Sequence, residues 1–278
     1  MSVRIATDSA SDLTSEEVEE LGIEVVPLKI RFGDQEFVDR DELSVSEFYK
    51  RMAETDDLPG TAAPSPGAFD TAFRKLAADG ASTVVCINIS SGVSATIEAA
   101  QQAAKGLEGE IDVRVLDSRA LTGGQANICI QAANAARGGA SADDVVALTG
   151  DLARRTHMLG ALDTLENLMK GGRIGRARGM AGSVLSIKPV IDFSSGEVEE
   201  AAKPRTRKRA LLWLRDHVRS FGKVESLQIC HGEAPDVEEM LDLLAEDHDR
   251  DAIEVRLLGP VVGTHAGSRI MGISFVEG

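Results

Sequence analysis

The alternation of short apolar runs with longer amphipathic segments is the feature of this sequence that most constrains its fold. The apolar runs 3–6, 83–89 and 113–116 are each followed by small polar residues and then by a helical pattern. Thr14, with Glu17 three residues later, predicts a capping box at the start of the first helix. Strands that alternate with helices in this way form mostly parallel sheets with helices on both faces. The sequence therefore predicts an α/β fold for the N-terminal half of the chain.

The loops that follow apolar runs carry hydroxyls, glycines and one histidine. They comprise Thr7-Asp8-Ser9, Ser90-Ser91-Gly92-Val93-Ser94, Asp117-Ser118 and, after the apolar run 255–262, Gly263-Thr264-His265. In an α/β sheet, ligands bind beyond the C-terminal ends of the strands, where loops and helix N-termini expose backbone N–H groups. These loops therefore predict a site for a small anionic head group.

The pattern changes past the middle of the chain, and we predict two α/β domains, residues 1–158 and residues 159–278. A strand at 23–32 and a return strand at 36–38 predict a small hairpin inserted in the N-terminal domain. The later strands, one of which is predicted at 186–193, and the later helices are expected to form a C-terminal α/β sandwich. No long linker separates the halves, so we expect them to pack closely around a shared ligand cleft.

Charge and composition argue against several classes of protein. The net charge of −15 is unfavourable for nucleic-acid binding, which needs a surface that neutralises phosphates. No apolar run approaches the roughly 20 residues that span a bilayer, and the N-terminus lacks the pattern of a signal peptide. We therefore expect a cytoplasmic protein without an integral membrane segment. Cys86, Cys129 and Cys230 lie far apart in apolar surroundings, which predicts buried thiols rather than a disulfide or metal site.

Two basic segments stand out against this acidic background. The first, Lys170-Gly171-Gly172-Arg173-Ile174-Gly175-Arg176-Ala177-Arg178, combines four cations with three glycines, and the second, 203–209, holds five cations. Glycines beside cations can bring backbone amides and positive charge to a phosphate or an acidic partner. We favour that role for the first segment. For the second segment, such a role and a solvated helix face are equally compatible with the sequence.

Six motifs, taken in order, resemble those of the DegV family and cover nearly the whole chain. They are Ile5-Ala6-Thr7-Asp8-Ser9-Ala10-Ser11-Asp12-Leu13, Thr61-Ala62-Ala63-Pro64-Ser65-Pro66-Gly67, Ile89-Ser90-Ser91-Gly92-Val93-Ser94-Ala95-Thr96, Asp117-Ser118, Leu168-Met169-Lys170-Gly171-Gly172-Arg173-Ile174 and Gly263-Thr264-His265-Ala266-Gly267. Each motif is weak alone, but six in family order argue against chance similarity. The chain departs from the family pattern at Gly267-Ser268-Arg269, where members commonly have Gly-Pro-Gly.

The resemblance implies a two-domain α/β protein that holds one long-chain fatty acid in an apolar tunnel between the domains. It also implies that the protein is not itself an enzyme. It would be the fatty-acid-binding subunit of a bacterial fatty-acid kinase, presenting the carboxylate to a separate ATP-binding kinase for acyl-phosphate formation in phospholipid metabolism. By the same resemblance, Thr61, Ser94 and His265 would bind the carboxylate. The residues Ser9, Ser91, Gly92, Asp117 and Ser118 would lie near the head group.

These residue types suit a buried carboxylate, because a carboxylate removed from water needs several hydrogen-bond donors. Aromatic residues make up only 4% of the chain, which suits an aliphatic tunnel, and each buried CH₂ contributes about 0.8 kcal/mol. We expect Arg173 and Arg205 to favour docking of the kinase and to attract the γ-phosphate of its ATP. No cofactor and no metal are expected, and transient contact with a membrane surface is left open.

Other functions fit the same sequence to different degrees. A non-enzymatic lipid sensor or store, or a carrier of another amphipathic acid, would use the same tunnel and stays open. A serine hydrolase is disfavoured because the chain has no Gly-x-Ser-x-Gly nucleophile elbow. A nucleotide-binding oxidoreductase is disfavoured because the loop after the first strand contains no glycine. Without the resemblance, Thr61 and Ser94 would be assigned structural roles first.

Overall fold

A four-stranded parallel sheet forms the centre of the N-terminal half. The computed structural model describes residues 2–55 and 57–278. Within residues 181–186 it describes the backbone only. The strands of this sheet are β1 (Val3–Asp8), β2 (Glu24–Val26), β6 (Thr83–Asn88) and β7 (Asp112–Asp117). They lie side by side in the order β2-β1-β6-β7, and all three pairings are parallel. The predicted parallel sheet is therefore confirmed.

Helices cover both faces of this sheet, as the alternating pattern predicts. The helices of this half are α1 (Ser15–Leu21), α2 (Val45–Ala53), α3 (Pro66–Ala78), α4 (Thr96–Gly106), α5 (Thr122–Arg137) and α6 (Ala142–Arg155). Successive side chains of a strand point to opposite faces. Val84 and Cys86 therefore pack in the cluster with α3 and α4, whereas Val85 and Ile87 pack in the cluster with α5 and α6. Both faces of β6 are buried, which explains its continuous apolar run.

The predicted hairpin is part of a three-stranded antiparallel sheet. In it, β3 (Lys29–Phe32) pairs with β4 (Gln35–Val38) on one side and with β5 (Gly60–Ala62) on the other. The single strand predicted at 23–32 is wrong, because β2 and β3 belong to different sheets. Pro27 separates them and has no N–H to donate to a ladder. The next N–H, that of Leu28, donates to Ser9 Oγ at 3.0 Å instead of to a strand.

A six-stranded mixed sheet forms the centre of the C-terminal half. In spatial order its strands are β10 (Glu199–Ala202), β9 (Val190–Asp192), β8 (Thr156–Ala161), β13 (Met271–Glu277), β11 (Val224–His231) and β12 (Glu254–Leu257). Helices α8 (Arg207–Arg219) and α9 (Val237–Leu244) pack on one face. Strand β8 begins at Thr156, and the division of the chain at residue 158 stays a prediction.

Short helices complete the C-terminal half and correct two predictions. They are α7 (Glu166–Lys170), α10 (Pro260–Ala266) and the 3₁₀ segments Gly175–Ser186 and Arg250–Ala252. His265 lies in α10 rather than after a strand, because β12 ends at Leu257 and Pro260 begins a helix, where its missing N–H costs nothing. The strand predicted at 186–193 is also shorter than expected, since helical backbone extends to Ser186.

A buried arginine joins the two halves. Arg256 on β12 donates to both carboxylate oxygens of Glu17, at 2.7 and 2.8 Å, and to the backbone oxygen of Asp12 at 3.2 Å. Burial raises the pKa of Glu17, but the bonds to Arg256 outweigh that effect and hold the pKa below its usual range. Glu17 also closes the predicted capping box with Thr14, which is confirmed. One carboxylate therefore stabilises both α1 and the contact between the halves.

Removal of this arginine is expected to destabilise the fold. The Arg256 side chain is 6% exposed and that of Glu17 is 25% exposed, so Arg256→Ala should lower the free energy of unfolding by about 2 to 4 kcal/mol. Arg250→Ala is the control, because its partners Glu238 and Asp242 are exposed, and it should cost less than about 1 kcal/mol. Urea denaturation measures both values. Similar small losses in the two variants would contradict this account of Arg256.

Candidate functional site

An apolar cavity lies between the two halves of the molecule. Its volume is about 190 Å³, counted as the space that the centre of a water molecule can occupy. Because about 10 to 15 Å³ on that measure holds one water, the cavity accommodates on the order of a dozen water-sized groups. The apolar wall includes Leu28, Ile89, Val93 and Leu121 from the N-terminal half and Met158, Ile191, Phe193, Val261, Ile270 and Ile273 from the C-terminal half. This lining suits an apolar molecule.

Two paired glycines leave room for the cavity. Gly160 in β8 lies opposite Gly272 in β13, and both line the cavity. Side chains alternate along a strand, and Met158 and Ser274, two positions away, line the same wall. A Cβ at Gly272 would lie 2.9 Å from the backbone oxygen of Cys230. Glycine is therefore required at Gly272 by the close approach of a neighbouring strand.

Four polar side chains that line the cavity are together called the head-group cluster: Thr61, Ser94, Arg173 and His265. Thr61 Oγ1, on β5, lies 3.0 Å from His265 Nε2, on α10. The other ring nitrogen of His265 is buried, has no hydrogen-bond partner among the described residues and is packed against Gly171. The small three-stranded sheet thus brings a hydroxyl to an imidazole that lies 204 positions later in the chain.

Ser94 and Arg173 complete this cluster. Ser94 Oγ lies 2.9 Å from Thr96 Oγ1 and accepts from the backbone N–H of Thr96 at 3.3 Å, just before α4. Arg173 is half-buried and donates to the backbone oxygens of Val93 at 3.2 Å and Gly171 at 2.7 Å. A guanidinium has five N–H donors, so these two bonds fix Arg173 while leaving donors for a ligand.

The head-group cluster carries positive charge in an acidic protein. Burial, followed by the nearby charge of Arg173, lowers the pKa of His265 to about 4, so the imidazole is neutral at neutral pH. No Asp or Glu belongs to the described lining of the cavity. His265 thus lacks the carboxylate orienter of a catalytic triad within that lining. The cluster can donate several hydrogen bonds to an anion and has the chemistry of a carboxylate site.

The five residues predicted near the head group lie outside the described cavity lining. Ser91 Oγ donates to Asp117 Oδ2 at 2.5 Å, Ser118 Oγ donates to the backbone oxygen of Ala120 at 3.1 Å, and Ser9 Oγ accepts from Leu28. Gly92 donates to Ser90 Oγ at 3.2 Å and leaves no space for a Cβ beside the Gly196 carbonyl. Their side chains and amides thus shape the strand-end loops, and their nearness to a bound head group stays a prediction.

The two basic segments are placed differently. Arg173 lines the cavity, whereas Arg205 is exposed just before α8 and is not in the described lining. Arg176 pairs with Glu199 at 3.0 Å and with Glu197 at 3.3 Å. Arg269, at the departure from the family pattern, is exposed and lies 3.4 Å from Asp163, outside that same lining.

Comparison with known proteins identifies the family. A family model described as "Uncharacterised protein, DegV family" matches residues 2–278. The chain belongs to the DegV family. A DegV domain-containing protein of Halalkalibacterium halodurans is 32% identical over 279 residues, covering 98% of each chain. Among solved structures, a DegV family protein of Thermus thermophilus, described by its fatty acid binding, has a TM-score of 0.92 at 29% identity with full coverage of both chains. DegV of Bacillus subtilis, described as a fatty acid binding protein, has a TM-score of 0.87 at 25% identity, also with full coverage.

Several residues that line this DegV cavity were not predicted from the sequence to do so. Besides the paired glycines, they are Thr122, Cys230 and Ser274, which also line the wall. The Gly123-Gly124 pair at the start of α5 is a signal for close packing that could have drawn attention to Thr122. The predicted burial of Cys86, Cys129 and Cys230 as free thiols is confirmed.

Neither a metal-binding group nor a membrane-spanning helix is found among the described residues. In the described part of the chain, no group of three or more His, Cys, Asp and Glu residues is arranged to hold a metal ion. None of the helices within residues 2–55 and 57–278 has the length and apolarity to cross a lipid bilayer.

The lowered pKa of His265 predicts a specific pH dependence of stability. The unfolded chain gains a proton on this histidine near pH 6.5, whereas the folded chain does so only near its pKa of about 4. Above pH 6.5, His265 therefore does not lower the free energy of unfolding. As the pH falls from 6.5 towards 4, the free energy of unfolding decreases, because only the unfolded chain binds the proton. Between pH 7 and pH 4.5, the wild type should lose about 2 kcal/mol more than His265→Gln.

Urea denaturation at a series of pH values measures this difference. His248→Gln, outside the cavity lining, is the control for loss of a histidine. If His265→Gln has the same pH dependence as the wild type, the imidazole is not held in its neutral form by this environment.

Proposed function

We propose that this protein binds a fatty acid, with the acyl chain in the cavity and the carboxylate at the head-group cluster. The observation that carries the proposal is an apolar cavity lined by Thr61, Ser94, Arg173 and His265, with Thr61 Oγ1 at 3.0 Å from His265 Nε2. The fatty acid binding described for the proteins of Thermus thermophilus and Bacillus subtilis supports it.

The head-group cluster supplies what a carboxylate needs when it leaves water. The Thr61–His265 pair keeps one hydrogen in its mutual bond and offers another, the Ser94 hydroxyl offers a further one, and Arg173 offers positive charge with unused N–H donors. Hydrogen bonds to a charged group are roughly twice as strong as those between neutral groups. The carboxylate is therefore held in one orientation, which fixes the direction of the acyl chain.

The cavity wall supplies the affinity. Each methylene that leaves water contributes about 0.8 kcal/mol, and the wall beyond the head-group cluster is mostly aliphatic. The paired glycines allow a chain to lie directly against the six-stranded sheet. Long acyl chains are expected to bind more tightly than short ones until the cavity is filled.

We further propose that the protein presents the carboxylate to an ATP-binding fatty-acid kinase in the cytoplasm, for phospholipid metabolism. A carboxylate oxygen would attack the γ-phosphorus of ATP on the kinase, ADP would leave, and an acyl phosphate would form. Arg173 beside the carboxylate and the exposed Arg205 support this step, because cations favour an approaching triphosphate and an acidic partner. The protein would contribute position rather than covalent chemistry. A lipid sensor or store, or a carrier of another amphipathic acid, is the alternative.

Loss of a head-group hydroxyl is expected to weaken fatty-acid binding. Thr61→Val and Ser94→Ala should each raise the Kd for palmitate by about 10- to 100-fold, the equivalent of one hydrogen bond to a charged group. Thr71→Val and Ser220→Ala are the controls, because their hydroxyls donate to nearby helix carbonyls. Titration of delipidated protein measures the Kd. Unchanged affinity in both test variants would remove this site from consideration.

A kinase assay tests presentation separately. With a bacterial fatty-acid kinase, the double variant Arg173→Ala, Arg205→Ala should lower kcat/KM for acyl-phosphate formation about tenfold or more. Arg137→Ala, an exposed arginine at the end of α5, is the control. The palmitate Kd is measured in parallel, because Arg173 lies beside the carboxylate. Normal acyl-phosphate formation by the double variant would exclude the role of these arginines, and its absence in the wild type would favour the store or sensor.

A further inference from the structure

A second group of polar side chains interrupts the apolar wall of the cavity. It consists of Thr122 at the start of α5, Cys230 on β11 and Ser274 on β13. None of these elements carries a residue of the head-group cluster. We propose that this group is a subsite for a hydroxyl substituent on the acyl chain, so that the preferred ligands include hydroxylated fatty acids. This inference rests on the proposed binding of a fatty acid.

Thr122 provides the main evidence. Its side chain is buried, at 3% exposure, it lines the cavity, and its Oγ1 has no nitrogen or oxygen partner among the described residues. Its interaction is with the thiol of Cys230, which is a weak hydrogen-bond partner. A buried hydroxyl that is satisfied only weakly is unfavourable. The backbone of Thr122 also has φ of 44°, which is rare and strained for a β-branched residue. Strained residues are frequent at binding sites.

The neighbours of Thr122 add an unpaired oxygen. Gln228 is 2% exposed, and its Oε1 has no partner within the described part of the chain. That atom is packed against Gly123, the residue after Thr122, and a Cβ on Gly123 would also lie 2.6 Å from Cys230 Sγ. Gln228 pairs with Ser274 across β11 and β13. Burial raises the pKa of Cys230 to about 11, so its sulfur remains a thiol and a weak donor.

The chemistry of this group favours a hydroxyl over other substituents. Thr122 Oγ1 and Ser274 Oγ, which both belong to residues of the cavity lining, can each donate and accept. A ligand hydroxyl can likewise donate and accept, whereas a keto oxygen only accepts and a methylene does neither.

A hydroxyl on the acyl chain is expected to lower the Kd if the subsite exists and to raise it if the cavity is wholly apolar. In an apolar cavity, a hydroxyl loses its bonds to water and gains none, so every hydroxylated acid binds more weakly than its parent. With a subsite, the isomer whose hydroxyl meets Thr122 binds more tightly than the parent acid. One net hydrogen bond corresponds to about 3- to 10-fold in Kd.

A positional scan of hydroxylated acids tests the proposal. Delipidated full-length protein is titrated with stearate and with monohydroxystearates that carry the hydroxyl at successive carbons. At least one isomer should bind about 3- to 10-fold more tightly than stearate. Thr122→Val should abolish that ratio, and Thr122→Ser, which keeps the hydroxyl, should preserve it. Thermal denaturation verifies that both variants fold.

The outcomes separate this inference from the function on which it rests. Weaker binding of every hydroxylated isomer by the wild type overturns the subsite, even if stearate binds. A preference that persists in Thr122→Val also overturns it. If stearate itself does not bind, both the proposed function and the subsite are wrong.

Discussion

Hydrophobic contact across the two halves is the interaction on which the rest of the structure depends. One continuous cluster joins Ile128 and Ala132 of α5 to Met158, Ile191 and Val276 of the six-stranded sheet. Such contact would normally fill the space between a helix layer and a sheet at the density of an organic crystal. Here Gly160 and Gly272 contribute no side chains to the contact, and both line the cavity. The same packing that holds the halves together therefore also forms the apolar walls of the cavity.

Enclosure makes each polar atom on the wall significant, because an unpaired polar group is costly away from water. Thr61 and His265 partially satisfy each other, and Arg173 is fixed by two backbone oxygens. The remaining donors of this cluster have no acidic neighbour in the described lining, which suits an anionic ligand. The buried Arg256 and Glu17 hold the halves in the arrangement that creates the cavity.

The fold could be predicted from local patterns wherever local interactions decide the structure. The alternating apolar runs gave the parallel sheet, and Thr14 with Glu17 gave the capping box. Prediction failed where one residue redirects the chain. Pro27 divides a continuous apolar stretch between two sheets, and Pro260 starts a helix in a stretch that resembles a strand. Neither outcome follows from hydrophobic periodicity, since both stretches are apolar in either arrangement.

Only part of the site could be predicted from the sequence. Family motifs named Thr61, Ser94 and His265, and the structure brings Thr61 to His265 through β5, a strand the sequence did not indicate. Thr122 was missed because its importance comes from a positive φ and a weakly satisfied hydroxyl, and both depend on tertiary packing. Ser91 and Asp117 have suitable chemistry, but they bond to each other beside the cavity rather than within its described wall.

A crystal structure of the protein with bound palmitate tests the central claim most directly. The account predicts an acyl chain in the cavity against Gly160 and Gly272, with carboxylate oxygens within hydrogen-bond distance of Thr61 Oγ1, Ser94 Oγ and His265. A carboxylate at another place, or a cavity that stays empty at saturating palmitate, would contradict it.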